Sequence, residues 1–141
     1  MKNDNITKSF RDMSLGMSSN FERIVTEEHI NLFSEVSGDK NPLHLDEDFA
    51  KKTIFEGRIA HGMLTASHIS AAIVNFAGPG WIYINQSLKF RSPVRIGDRV
   101  DTYLEVDKLI PEKFLVQMST VCSVDKTIII EGSATIKSPV N

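Results

Sequence analysis

The sequence is short of several things, and each shortage removes a class of protein. One cysteine, Cys122, in 141 residues rules out an intramolecular disulfide and any zinc cluster built on cysteines. No apolar run approaches the roughly 20 residues that a bilayer-crossing helix needs. Met1 to Asn20 lacks the apolar centre of a secretory signal. Neither sign of charge is in surplus, with 16 Lys and Arg against 18 Asp and Glu. That balance gives no footing for nucleic acid or for a polybasic membrane contact. Repeats and low-complexity segments are also missing. The expectation is a single soluble, cytoplasmic domain with no nucleic-acid or membrane partner.

What is present is enough apolar material, 41% of residues, for one core. Residues 1–20 are mostly polar and read as an N-terminal arm, with Phe10, Met13, Leu15 and Met17 as the side chains able to dock. Residues 21–141 read as the domain. A short strand is expected over Phe21–Val25. Thr26 then suits an N-cap, Glu27 and Glu28 suit a first helical turn, and Gly38 suits the residue after the last, so a helix is expected over Glu27–Ser37. Pro42 bars that helix from continuing. A brief helical turn over Glu47–Lys52, capped by Asp46, precedes a loop through Gly57.

Ala60–Phe76 is the strongest helical pattern, stopped by Gly78-Pro79-Gly80. Its apolar residues and alanines lie nearly all round, so it has to be enclosed. The remainder reads as strands. Trp81–Phe90 is aromatic and β-branched. From Arg99 the chain alternates, with Val100, Thr102, Leu104 and Val106 on one face and Asp101, Tyr103, Glu105 and Asp107 on the wetter one. Phe114–Val124 and Thr127–Lys137 are joined at Asp125-Lys126. Early helices and a late strand meander make an α+β fold: a curved antiparallel sheet wrapped around one long helix. Its open edge predicts pairing with a second copy.

Two segments can carry chemistry. In Ser37-Gly38-Asp39-Lys40-Asn41-Pro42-Leu43-His44, the irregular backbone around Pro42 lets a carboxylate and an imidazole converge as an acid–base pair able to activate water. The blander alternative has Asp39 terminating the helix and His44 serving a loop carbonyl. In His61-Gly62-Met63, the first amides of the long helix lack intrahelical partners, and glycine lets a substrate oxygen approach, so the Gly62 N–H suits an oxyanion donor. The alternative is that Gly62 only relieves crowding.

Together these segments resemble the hydratase-2 motif of the MaoC-like family, with the likeness continuing through Ile82–Phe90 and Pro93–Asp98 and covering roughly Phe21–Lys137. The resemblance is strongest to its bacterial (R)-specific enoyl-CoA hydratases, the PhaJ type. It implies a hot-dog fold and a homodimer whose sheets join edge to edge. It also implies a hydro-lyase that adds water to trans-2-enoyl-CoA, giving (R)-3-hydroxyacyl-CoA, and runs in reverse as a dehydratase of fatty-acid metabolism. By the same resemblance, Asp39 and His44 hold the water and Gly62 holds the thioester oxygen. Asn41, His61, Met63, Ser70 and Ile73 then contact or position the substrate, Ile73 where relatives set acyl length. The acyl carrier is CoA or a carrier protein. No cofactor is implied, because hydration moves protons and not electrons.

The remaining candidates read plainly. His29 is a surface or cap residue, His68 a packing residue and Cys122 inert packing. Lys89, Arg91 and Arg95 are the cations nearest a CoA phosphate. A metal site from Asp39, His44 and His61 is disfavoured because no two have ligand spacing on one helix or hairpin. Hot-dog folds also host thioesterases, and a silent acyl-CoA-binding module is a third class.

Overall fold

The computed structural model describes residues 6–139. Its helices are α1 (Glu27–Ser37), α2 (Pro42–Leu45), α3 (Glu47–Ala50) and α4 (Gly62–Ala77). Its strands are β1 (Ser18–Ile24), β2 (Ile82–Gln86), β3 (Lys89–Phe90), β4 (Arg99–Ile110), β5 (Leu115–Val124) and β6 (Thr127–Lys137). All strand pairs are antiparallel, in the order β1-β4-β5-β6-β2, with β3 also on β6. The sheet packs around α4, which touches β1, β4 and β5. Ile69 of α4 meets Leu104, Met118, Ile130 and Ile136 in a core with almost no exposed surface. No helix among the described residues is long and apolar enough to cross a membrane.

The caps behave as their chemistry requires. The Thr26 hydroxyl accepts from the His29 amide at 3.2 Å, and His29 Nδ1 accepts from the Thr26 amide at 3.3 Å, so His29 is a cap residue. Gly38 closes α1 in the left-handed region, at φ 80°. β4 buries Val100, Thr102, Leu104 and Val106, as alternation demands. Asp125 and Lys126, both at positive φ, make the tight β5–β6 turn.

Four expectations are corrected. The first strand begins at Ser18, inside the segment read as an arm. Met13 of that segment is buried, and Phe10 and Met17 pack on the core, while Leu15 points outward. The long helix begins at Gly62 and not Ala60, with His61 as its N-cap. The first helix does end before Pro42, but the backbone after it is not irregular: Pro42 starts α2, because Asn41 caps it and proline is tolerated in a first turn. The strand expected over 81–90 is split at Ser87. The Ser87 carbonyl crosses against Gly132, where a Cβ would lie 1.8 Å from that oxygen.

Candidate active site

Asp39 sits just beyond α1, and its backbone is clamped. The buried Ser34 hydroxyl donates to the Asp39 carbonyl at 2.8 Å, and His61 Nε2 donates to the same oxygen at 3.1 Å. The Asp39 carboxylate accepts the Asn41 amide at 3.2 Å, and Asn41 Oδ1 accepts from Leu43 at 3.0 Å, which starts α2. One helical turn then carries His44 into the interior, where 8% of it is exposed.

His44 Nδ1 lies 2.8 Å from the Ile59 carbonyl. A carbonyl only accepts, so Nδ1 bears the hydrogen and Nε2 keeps its lone pair. Burial pushes the imidazole pKa below its ordinary value and neighbouring His61 adds to this, against the Ile59 bond and Asp39. His44 is thereby held neutral, with a basic nitrogen free. Arg58 braces it from behind, its Nε donating to the His44 carbonyl at 2.8 Å while Nη1 pairs with Glu27 at 2.7 Å.

A cavity of about 410 Å³ opens over these groups, walled by Asp39, His44, His61, Gly62, Met63 and Thr65, with Phe55, Phe90 and Ile130 on its apolar side. One polar atom from each of Asp39, His44 and His61 falls within 4.8 Å of the others. The spacing argument against a metal there is therefore corrected, since folding unites residues that no local repeat does. The rings of His44 and His61 pack against each other, with centroids 4.0 Å apart and planes at 33°. Each ring has one nitrogen committed to a carbonyl, which leaves one nitrogen apiece beside the carboxylate. A carboxylate and a neutral imidazole so placed are the components of an acid–base pair.

Gly62, the first residue of α4, lines the cavity. A Cβ there would come within 2.7 Å of the Phe90 ring, so the crowding account of this glycine holds beside the oxyanion one. His61, 1% exposed, packs its ring against those of both His44 and Phe33 at tilted angles.

Other candidates fall outside the cavity. Asn41 is exposed, and its side chain is spent on capping α2. Ser70 is exposed and Ile73 lies in the core. At 1.5 Å per residue they stand roughly 12 and 16 Å along α4 from Gly62, whereas the cavity occupies the first turn and a half. Arg95 is engaged by the Phe55 and Arg58 carbonyls at 2.6 and 3.4 Å, and Arg91 is paired with Glu131. Neither is a free cation, and of the three only Lys89 has no partner for its side chain among the described residues. Sequence reasoning missed Ser34, Arg58, Thr65 and Phe90. Ser34 and Thr65 left a signal, as lone hydroxyls on faces otherwise apolar. Arg58 left none, because its partner Glu27 is remote in sequence.

Comparisons with known proteins bear on the family and the fold. The MaoC like domain profile matches residues 12–127. The chain is 47% identical over 137 residues to an (R)-specific enoyl-CoA hydratase of Rhodospirillum rubrum, covering 96% of this chain and 95% of that one. It is 42% identical over 131 residues to a 3-hydroxybutyryl-CoA dehydratase of Methylorubrum extorquens, covering 92% and 83%. Among solved structures, an unliganded R-hydratase of Pseudomonas aeruginosa superposes with a TM-score of 0.89 at 38% identity, over 96% of this chain and 88% of that one.

Proposed function

The chain belongs to the MaoC-like domain family and has the hot-dog fold, and from that membership we propose that it catalyses the reversible (R)-specific hydration of trans-2-enoyl-CoA. The observation that carries the proposal is a carboxylate and a neutral imidazole within 4.8 Å of each other in a cavity at the head of α4. We read the chain as one catalytic domain that takes in β1 from Ser18 and the core residue Met13.

In this mechanism a water donates its hydrogens to the Asp39 carboxylate and to His44 Nε2. Its oxygen forms a bond to C3 of the enoyl group as the C2–C3 π pair shifts toward the thioester, and the proton taken by the pair returns to C2. Hydroxyl and hydrogen arrive from the same side, because the pair lies on one wall, so the addition is syn. Negative charge on the thioester oxygen is met by the first amide of α4, at Gly62, where a helix N-terminus favours it. Asp39 and His44 act as a coupled pair, and the proton belongs to both. The apolar wall of Phe55, Phe90 and Ile130 suits an acyl chain.

Purified protein with crotonyl-CoA is expected to consume the enoyl absorbance and yield (R)-3-hydroxybutyryl-CoA, identified by chiral chromatography. Release of free CoA instead would make it a thioesterase. An enoyl series on CoA and on acyl carrier protein ranks the carriers and sets the chain length.

A further inference from the structure

The buried side-chain nitrogen and oxygen atoms that lack a hydrogen-bond partner among the described residues share one helix: His61 Nδ1, Thr65 Oγ1 and His68 Nδ1. Thr65 and His68, three apart, share one face of α4, and His61 is the cap at its head. Exposure is 1% at His61, 1% at Thr65 and 4% at His68. A buried polar atom left unpaired is costly, and three so near in the chain mark a place built for something polar.

The chemistry of each atom identifies the occupant. His61 Nε2 carries its hydrogen, because it faces the Asp39 carbonyl at 3.1 Å, so Nδ1 is a bare acceptor. The Thr65 hydroxyl both donates and accepts. His68 is kept neutral by burial, with the charges of Arg23 and His29 pushing the same way. A thioester carbonyl has only lone pairs to offer and cannot serve His61 Nδ1. Water gives and takes, and residues three or four apart on a helix have Cβ atoms about 5–6 Å apart, a gap that one bridging water fills. Two of the three residues, His61 and Thr65, also line the cavity.

We propose that this face of α4 binds a file of ordered waters leading inward from the cavity, with the Thr65 hydroxyl as its middle link, and that Thr65 is thereby a positioning residue for the reaction. The water on Nδ1 fixes the tautomer and plane of His61, whose Nε2 holds Asp39 and whose face supports His44. The kinetic part of this rests on the hydration reading, and the water site itself does not.

The test joins crystallography with three variants of the full chain. A crystal structure is expected to place a water about 2.7–3.2 Å from both Thr65 Oγ1 and His61 Nδ1. Thr65→Val, matched in shape, is expected to lower kcat on crotonyl-CoA about tenfold or more with KM within threefold, and Thr65→Ser to restore kcat to within threefold. Thr65→Ala replaces the valine variant if that one does not fold. A dry face, with Oγ1 bonded directly to protein, overturns the proposal, and so does wild-type kcat in the hydroxyl-free variant. If the wild-type protein hydrates no enoyl thioester, the hydration reading falls, and the crystallographic waters alone decide the site.

Discussion

At the scale of single residues, the proposed mechanism rests on the contrast between Asp39 and His44. Asp39 keeps its carboxylate at the surface and anchors its backbone inside. His44 is buried and gives one nitrogen to Ile59, which leaves the other as an unprotonated acceptor. General acid–base groups contribute about 10²–10⁴-fold to rate, so Asp39→Asn and His44→Ala are each expected to lower kcat by at least 10² while circular dichroism stays unchanged. Turnover near wild type in both would remove the pair. The lowered pKa of His44 sets the direction of the pH response. A base whose pKa is depressed stays unprotonated to lower pH, so the acid limb of kcat/KM belongs below pH 6.5. A limb above 7 would mean that His44 is not held neutral as its surroundings require.

At the scale of elements, α4 has one end at the cavity and the other against the lead-in segment. Its last carbonyls are held by the lead-in segment. The Lys8 ammonium bonds to the Phe76 carbonyl and lies 5.1 Å from that residue's ring centroid. The Lys8 amide donates to Ala77 at 2.9 Å, and the Trp81 indole N–H donates to the Lys8 carbonyl at 2.9 Å. A cation at a helix C-terminus and over a ring is worth about 1–2 kcal/mol in sum. Lys8→Ala is therefore expected to lower Tm by roughly 3–8 °C and to leave kcat alone, since Gly62 lies roughly 22 Å away along the helix. Between the two ends, His68 titrates at about 4 in the fold against 6.5 in its ordinary state. From pH 6.5 down to 4 the unfolded chain binds the proton more readily, so stability is full above 6.5 and falls across that interval. His68→Gln should flatten the fall in Tm, and an unchanged slope would place its cause elsewhere.

Legibility follows the same division. Caps and stops are local chemistry, so Thr26, Gly38 and Gly78-Pro79-Gly80 framed two helices before any coordinates. Asn41 ahead of Pro42 is also a local signal, but an ambiguous one, because a proline interrupts a helix interior and begins a helix equally well. The Asp39–His44 motif was legible because both residues lie in one short stretch of chain. The groups that brace it were not: Ile59, Arg58 with Glu27, and Ser34 reach it through space. The break at Ser87 likewise depends on Gly132, which has no side chain to obstruct the crossing.

At the scale of the whole molecule, the sheet has two unlike edges. β1, at one edge, carries Glu22 and Arg23, charges of the kind that discourage a strand from pairing further. β2 ends the other edge with Ile-Tyr-Ile-Asn-Gln, which has neither charge nor proline and leaves Ile82 and Ile84 53% and 52% exposed. The same margin holds Phe90, and Met63 is exposed across the cavity mouth. An unprotected edge beside an apolar rim calls for a second copy about a two-fold axis, with β2 meeting β2. In sedimentation the protein is then expected at about twice its 15.8 kDa, and Ile82→Lys combined with Ile84→Lys at the single-chain mass with its circular dichroism retained. Because the joined edge shelters the rim, the lysine variant should also lose turnover with its partner, and dilution of the wild-type protein should do the same reversibly. A wild-type chain that sediments alone while fully active would show that one copy suffices and that the bare edge is guarded some other way.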